Sequence, residues 1–496
     1  MSDKKLTERT LKGLSWSLTS LLVQMLLNII SVSILARILT PQDYGLMSAV
    51  FIVVALGNTL SGLGLAPTII QKKDLTEDHL ATALVSSLGI GLTLMTLQWL
   101  CAPYLAAFMR MPELINVTRV TSLALIVQPL ASLYEAWMAR CLRFRQVSIT
   151  KLGVWIASSF GVSIPLAYLG YGYWALAAGF LSQTFFSAAT YLLLARNIGS
   201  NGDASFRAAK ELFRTGAGFS VTQFMNYISI YADNTIVGRA LGSVDLGIYS
   251  RAFYMISLPT NMFGTASRMV VFPAMAHIQD DESRMRQAYL KGISLTALMA
   301  IPTSVFLAVF SGEIVSIILG SQWTKATIPF AVFSTAIYFR VGAKTCANIL
   351  LAKAHAYTLA ILQTANAVMI VAGALIGASY GLNTVCIAVC TAAIVSYGGY
   401  AIISNRTAKV TILEFASVHI RPILIGLFVL SIGTGLKLAM PEAKPITVIG
   451  CAIVAFGLPL GVALYLKPSF LLGNLVTEIL ATVAKPFAQK IGWRVH

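Results

Sequence analysis

Few side chains in this sequence can do chemistry, and those few sit in apolar surroundings. Asp233 falls inside a long hydrophobic run, where a carboxylate does not easily reach lipid headgroups. It must bind or exchange a coupling ion, or pair with an arginine and do nothing else. Arg340 lies near the middle of another run, with Lys344 one turn further on. A guanidinium there needs an ion pair or an anionic ligand, and its planar fork suits phosphate oxygens. Arg119, Arg251 and Arg268 occupy similar but less telling positions. Glu135 and Arg140 are close enough in sequence to pair with each other.

The absences are as informative. The chain has no G-x-x-x-x-G-K-[ST] to cradle a nucleotide, no H-E-x-x-H for zinc and no G-x-S-x-G nucleophile elbow. His79, His277, His355, His419 and His496 are scattered without ligand spacing. Cys101, Cys141, Cys346 and Cys451 stand alone, and Cys386 and Cys390 share a helix face, as packing residues commonly do. The expectation is no catalytic residue, no metal and no bound cofactor. A secondary transporter, driven by a proton or sodium gradient, fits better than an enzyme.

The elements that hold these residues follow from composition. Hydrophobic residues make up 57% of the 496 and charged residues 11%, whereas a water-facing globule needs about 25% charged. The apolar material comes in runs of about 20 residues, the length that crosses a bilayer as a helix. Spans are expected near 13–38, 44–65, 79–105, 115–139, 149–169, 172–195, 217–241, 246–272, 288–312, 327–350, 355–378, 382–404, 417–439 and 445–466. The basic N-terminus does not read as a cleaved leader, because its apolar run is too long and lacks a small-x-small site. With that end inside, most Lys and Arg fall in cytoplasmic connections, including Arg140/Arg143/Arg145 and Arg207/Lys210/Arg214. The net charge of +17 is therefore topological and does not indicate nucleic-acid binding.

The chain also repeats. ILARILTPQDYGLMS at 34–48 and IVGRALGSVDLGIYS at 236–250 share Ile, Arg, Leu, Asp, Gly and Ser at a constant offset of 202 residues. Six crossings separate the copies, so they run parallel, as in transporters built from two bundles facing a central cleft. Asp43 and Asp245 precede new helices and can cap them, while Arg37 and Arg239 suit helix C-termini. These arginines either balance a tight hairpin or also meet an anionic substrate at the cleft mouth. Span one carries a polar stripe of Ser17, Ser20, Gln24, Asn28 and Ser31. Span seven answers with Ser220, Gln223, Asn226, Tyr227, Asp233 and Asn234. Such stripes serve interhelical hydrogen bonds or line a cavity suited to sugar hydroxyls.

The strings SILARILTPQDYGLMSAVFIVV, GLGLAPTIIQKKDLTEDH, YADNTIVGRALGSVDLGIYSRAFYMISLP, VVFPAMAHIQDDESRMRQAYLKG and IILGSQW fall in register from about residue 5 to 470. Together they resemble the Wzx-type polysaccharide flippases, in the branch for exopolysaccharide, colanic-acid-like and teichuronic-acid-like export. These belong to the multidrug/oligosaccharidyl-lipid/polysaccharide exporter superfamily. The resemblance implies an all-α polytopic fold of about fourteen transmembrane helices. They divide into an N-lobe at 1–205, a C-lobe at 206–406, and two helices with an amphipathic tail at 407–496. It implies an inner-membrane protein with cytoplasmic termini that moves undecaprenyl-diphosphate-linked oligosaccharides, beside a polysaccharide polymerase and co-polymerase. Arg37, Arg239 and Arg340 would then meet the diphosphate or acidic sugars, Gln24, Asn28 and Asn226 the glycan, and Asp233 the coupling ion. The alternatives are a multidrug or cation antiporter of the same superfamily, whose cavity acids should dominate, or a membrane-embedded enzyme or scaffold of the same pathway.

Overall fold

The computed structural model describes residues 23–62, 65–72, 74–194, 202–278, 281–353 and 355–466. The basic N-terminus, Ser17 and Ser20 of the first polar stripe and the tail from Pro468 lie outside the described residues, as do the side chains of Ser220 and Arg268. Among the described residues every regular element is a helix and there is no strand. A helix satisfies its own peptide groups in hydrocarbon, as apolar runs of about 20 residues require.

The first half runs α1 (Val23–Ile38), α2 (Pro41–Gly62), α3 (Leu65–Gln71), α4 (Glu77–Met109), α5 (Leu114–Thr121), α6 (Ala124–Arg140) and α7 (Phe144–Ser158). A π-turn at Ser159–Ser163 joins α7 to α8 (Ile164–Tyr168), and α9 (Tyr173–Leu194) and α10 (Phe206–Leu241) follow. The second half runs α11 (Ser243–His277), α12 (Glu282–Val309), α13 (Ser311–Ile318) and a 3-10 segment Ser321–Ala326. It continues with α14 (Thr327–Thr335), α15 (Ile337–Ala352), α16 (Ala356–Ala378), α17 (Leu382–Ala408), α18 (Ile412–Ala439) and α19 (Pro445–Leu466). Among the described residues ten segments are long and apolar enough to cross a membrane, some made of consecutive shorter helices, such as Leu114–Arg140 and Ser321–Ala352. α1 and Pro445–Pro459 of α19 are shorter apolar helices among the described residues. Expected spans seven and eight lie within α10 and α11, which run 36 and 35 residues.

The chain divides into two compact units. One holds residues 1–250 with 318–322, the other 251–317 with 323–496. The boundary falls inside α11, so α10, expected to open a second lobe, packs with the first unit against α2 and α4. That unit is cored by Leu65, Ile69, Leu80, Leu133 and Leu212, with a second cluster around Tyr134, Met138 and Tyr191. In the second unit α12 packs on α18, α15 on α17 and α16 on α17. Its buried centre includes Tyr289, Phe310, Phe330 and Phe333.

Outward faces are apolar too. Leu92, Leu97 and Leu100 of α4, and Ile361, Val368 and Ile376 of α16, are exposed. Water would not tolerate such a surface, whereas a bilayer requires it. Where two helices touch without a polar tie, small residues permit the approach. A Cβ on Gly377 of α16 would lie 2.8 Å from the Cα of Val385 and 2.9 Å from its backbone nitrogen. That contact cannot yield by side-chain rotation. Gly377→Leu is therefore expected to cost about 1–3 kcal/mol, as core overpacking does. The check is the thermal unfolding midpoint of the detergent-solubilised protein, with Gly435→Leu as the silent control, because nothing lies within 4 Å of its added Cβ.

Candidate functional site

The repeated motif folds into two matching turns that touch. Thr40 N–H and Oγ1 donate to Asp43 Oδ2 at 2.9 and 2.7 Å, and Asp43 N–H donates back to Thr40 Oγ1 at 3.2 Å. This reciprocal cap opens α2. The other carboxylate oxygen accepts from the backbone N–H of Tyr173 at 2.9 Å, tying in the start of α9. Asp245 occupies the equivalent first turn of α11.

The two turns meet through their glycines. A Cβ on Gly45 would run into the carbonyl of Ser243 and lie 3.0 Å from the backbone nitrogen of Gly247. A Cβ on Gly247 would run into the carbonyl of Pro41 and lie 3.0 Å from the nitrogen of Gly45. One turn further, Ser48 Oγ donates to Ser250 Oγ at 2.8 Å, two residues 202 apart in sequence. Residues equivalent in the repeat thus contact each other, as they must on a local two-fold axis. The recurrence of Gly and Ser in the motif carries this signal, but the sequence does not show that the copies touch.

Around this axis, polar side chains close helix ends. Gln322 donates to the carbonyls of Ala36 and Leu39 at the end of α1. Arg239 donates to the carbonyl of Phe108 at the end of α4, with its guanidinium 4.6 Å from the Phe108 ring centre. Arg37 is exposed and packs its stem against Gly320, 3.2 Å from the position a Cβ would take. Arg239 thus spends a donor on a backbone carbonyl of α4.

The polar stripes are partly buried. Gln24 and Asn28 are half-buried on α1, while Gln223 and Asn226 are exposed on α10. Tyr227 donates to the carbonyl of Ile52 at 3.0 Å, so part of the second stripe serves helix packing. Asp233 is 2% exposed. Its Oδ2 accepts from Tyr249 OH at 2.7 Å, and its Oδ1 from the backbone and side-chain nitrogens of Asn234 at 2.7 and 3.0 Å. Ser31, its counterpart at the repeat offset, is buried as well.

Arg340 stands in the second unit with its guanidinium 4.7 Å from the ring centre of Phe253. Its Nε is buried without a hydrogen-bond partner. One turn on, Lys344 is exposed and reaches Asn261 Oδ1 at 3.4 Å. Arg119 and Arg251 lie over Trp99 and Tyr254 at 4.3 and 5.0 Å. The expected Glu135–Arg140 pair is not made. Glu135 pairs with Lys151 at 2.6 Å, and Arg140 donates to the carbonyls of Ile69, Ile70 and Lys72, closing α3. At the base of α10, Glu211 binds Lys72 at 2.6 Å and His79 at 3.1 Å. Hydrogen bonds from Lys72 and then His79 hold its carboxyl down at about 2. This tie is intact above the ordinary carboxylate range and is lost only as pH falls toward that value. No cluster of His, Cys, Asp or Glu among the described residues could hold a metal.

A family model described as polysaccharide biosynthesis protein matches residues 34–328, more than half of the chain. The chain belongs to this family. It is 24% identical over 355 residues to the lipopolysaccharide biosynthesis protein WzxC of Escherichia coli, covering 71% of each. It is 23% identical over 355 residues to the teichuronic acid biosynthesis protein TuaB of Bacillus subtilis, covering 71% of this chain and 73% of that one. It is 25% identical over 320 residues to the succinoglycan biosynthesis transport protein ExoT of Rhizobium meliloti, covering 64% and 63%. Its fold is similar to that of the lipid II flippase MurJ in an inward closed conformation, with a TM-score of 0.73 and 15% identity over 90% of this chain and 98% of that one. An inward-facing multidrug transporter shares the fold at a TM-score of 0.60 and 16% identity, over 80% of this chain and 95% of that one. The all-α transporter fold expected from the sequence is the fold observed.

The serine pair gives this polysaccharide-biosynthesis family member a geometric test. Ser48→Cys combined with Ser250→Cys, in a background without the six native cysteines, is expected to cross-link under mild oxidation. Either single substitution should not. The readout is the mobility of the protease-clipped chain on a denaturing gel with and without reductant.

Proposed function

We propose that this protein is a flippase, moving undecaprenyl-diphosphate-linked oligosaccharide repeat units from the inner to the outer leaflet of the bacterial inner membrane. Both termini are cytoplasmic in this reading, the end bearing the two glycine turns is periplasmic, and two six-helix lobes alternate access. A proton or sodium gradient drives the cycle. The chain performs no covalent chemistry and works beside a polysaccharide polymerase and co-polymerase.

The observation that carries the proposal is half-buried Arg340, in the first turn of α15 inside the apolar span Ser321–Ala352, with its Nε unpartnered. Desolvating a cation is costly, and in the first turn of α15 a cation gains nothing from the dipole of that helix. A diphosphate would supply the missing acceptors. Arg37 and Arg239 extend the positive surface for the headgroup or acidic sugars, and Gln24, Asn28 and Asn226 offer amides to the glycan. Asp233 is the carboxylate through which an ion acts in the first unit, exchanging Tyr249 and Asn234 for the ion. A cation or drug antiporter would need acids to dominate, and the fold alone does not exclude one. The predominance of intramembrane arginines over acids favours an anionic cargo.

Replacing Arg340 by Ala is expected to reduce polymer export at matched membrane abundance by about tenfold or more, the loss of one desolvated charge-assisted contact. Lys should restore part of it. Lipid-linked repeat units should accumulate on the cytoplasmic leaflet. Full export by both Arg340→Ala and Arg239→Ala removes the phosphate-clamp reading, and accumulation on the periplasmic leaflet indicates a polymerase defect instead.

A further inference from the structure

His419, set apart in the sequence as one of five scattered histidines, lies within α18 and closes a buried chain of hydrogen bonds across three helices. Its Nδ1 is 2.7 Å from the carbonyl of Phe415 on its own helix. A carbonyl can only accept, so Nδ1 carries a proton, and in the neutral ring Nε2 must be an acceptor. Nε2 faces the hydroxyl of Tyr338 on α15. That hydroxyl lies 2.5 Å from the hydroxyl of Tyr397 on α17, which is itself 3.5 Å from Nε2. The direction of every bond follows: Tyr397 donates to Tyr338, Tyr338 donates to His419, and His419 donates to a backbone carbonyl.

The site is built for these groups. Tyr338 and Tyr397 are buried and His419 is half-buried. Gly342, one turn after Tyr338, makes the room, since a Cβ there would lie 2.7 Å from Cε2 of Tyr397. The aromatic rings pack edge to face, Tyr338 with Tyr397 at 5.3 Å and with His419 at 5.6 Å. Other titratable groups stand one layer away. Tyr289 of α12 stacks on Phe415 and bonds Asn405 and Cys346, while Arg286 of α12 is engaged by Glu414. Arg421, two residues past the histidine, is exposed.

We infer that the Nε2 of His419 is a proton-binding site that couples the second unit to the transmembrane proton gradient. The inference rests on the flippase reading and names its driving ion. A proton arriving at Nε2 forms one N–H bond and breaks none in the protein. The imidazolium then donates to Tyr338, which has to turn its own hydrogen toward Tyr397, and Tyr397 must rotate its O–H, still intact, away from Tyr338. The polarity of the chain reverses, and the tie between α18 and the α15–α17 pair is remade in a different geometry. Loss of the proton from the same nitrogen restores the first state. A tether needs no titratable group at that position; a hydrogen-bond chain with one imidazole acceptor is a two-state element that a proton biases.

The test uses the full-length protein and His419→Gln, whose amide can still accept from Tyr338 but cannot take a proton. Potentiometric titration in unbuffered detergent solution between about pH 5 and about pH 8 is expected to find one proton fewer bound by the variant. In proteoliposomes carrying a fluorescent polyprenyl-diphosphate disaccharide, wild type should slow about tenfold for each pH unit of gradient removed, the occupancy ratio one unit imposes on a single site. His419→Gln should move the probe downhill at a rate the gradient does not change. Equal proton uptake by both proteins, or an undiminished gradient response in the variant, overturns the inference. Absence of probe movement by wild type would instead count against the flippase reading, while the titration still decides the proton site. Should His419→Gln not reach the membrane, Tyr338→Phe keeps the ring and removes the hydroxyl. A displaced titration midpoint then supports the site, and an unmoved one overturns it.

Discussion

A helix in lipid leaves four N–H groups at one end and four carbonyls at the other without partners, and hydrocarbon offers none. Much of the polar chemistry of this chain is spent on that constraint. Arg140 closes α3 through three carbonyls, Arg239 closes α4, Gln322 closes α1 and Lys437 reaches the carbonyl of Val309 at the end of α12 at 2.7 Å. At N-termini, Asp43 serves both α2 and α9. Thr76 with His79, and Thr411 with Glu414, form capping boxes on α4 and α18. A cation that caps a helix is accounted for by the fold. Arg340, in the first turn of α15 with a buried nitrogen unmatched, is not accounted for in this way, and that difference separates a candidate ligand contact from a structural one.

The same constraint explains the economy of the repeat. Two copies of one turn bring two glycines to a common axis, where each backbone occupies the space the other leaves vacant. A side chain at either position would separate the turns. The serines that follow then form one hydrogen bond between equivalent residues, which a duplicated motif provides without new sequence. Backbone contact of this kind is stiff in compression but weak in tension, because no side chains interlock across it.

Much of the architecture was legible in the sequence because apolar run length is a one-dimensional property. The positions of α4, α9, α12, α16 and α17 follow from it, and the repeat follows from a fixed offset. Partnerships were less legible, since they depend on which helices become neighbours. Glu135 chose Lys151 on α7 over Arg140 on its own helix, while Arg140 reaches the free carbonyls at the C-terminal end of α3. Asp233 could be named as a buried acid, but its donor Tyr249 lies across a helix turn whose geometry no spacing rule supplies. His419 gave no signal at all, as its partners are 22 and 81 residues away in sequence.

These long-range ties also change the standing of α18, which the sequence is expected to set outside the repeat. A helix that merely filled the bilayer beside a complete bundle would need apolar contacts and little else. α18 instead carries Glu414 bound to Arg286, His419 bound to Tyr338, and Lys437 bound to Glu313 at 3.0 Å. These three polar links are spread along its length to α12, α15 and α13. Each costs desolvation that an aliphatic contact would avoid, and such contacts are the default between membrane helices. A helix held this way keeps a fixed axial register against the second unit, because ion pairs and directed hydrogen bonds tolerate sliding far less than apolar surfaces do. Displacement of α15 or α12 would therefore be transmitted to α18.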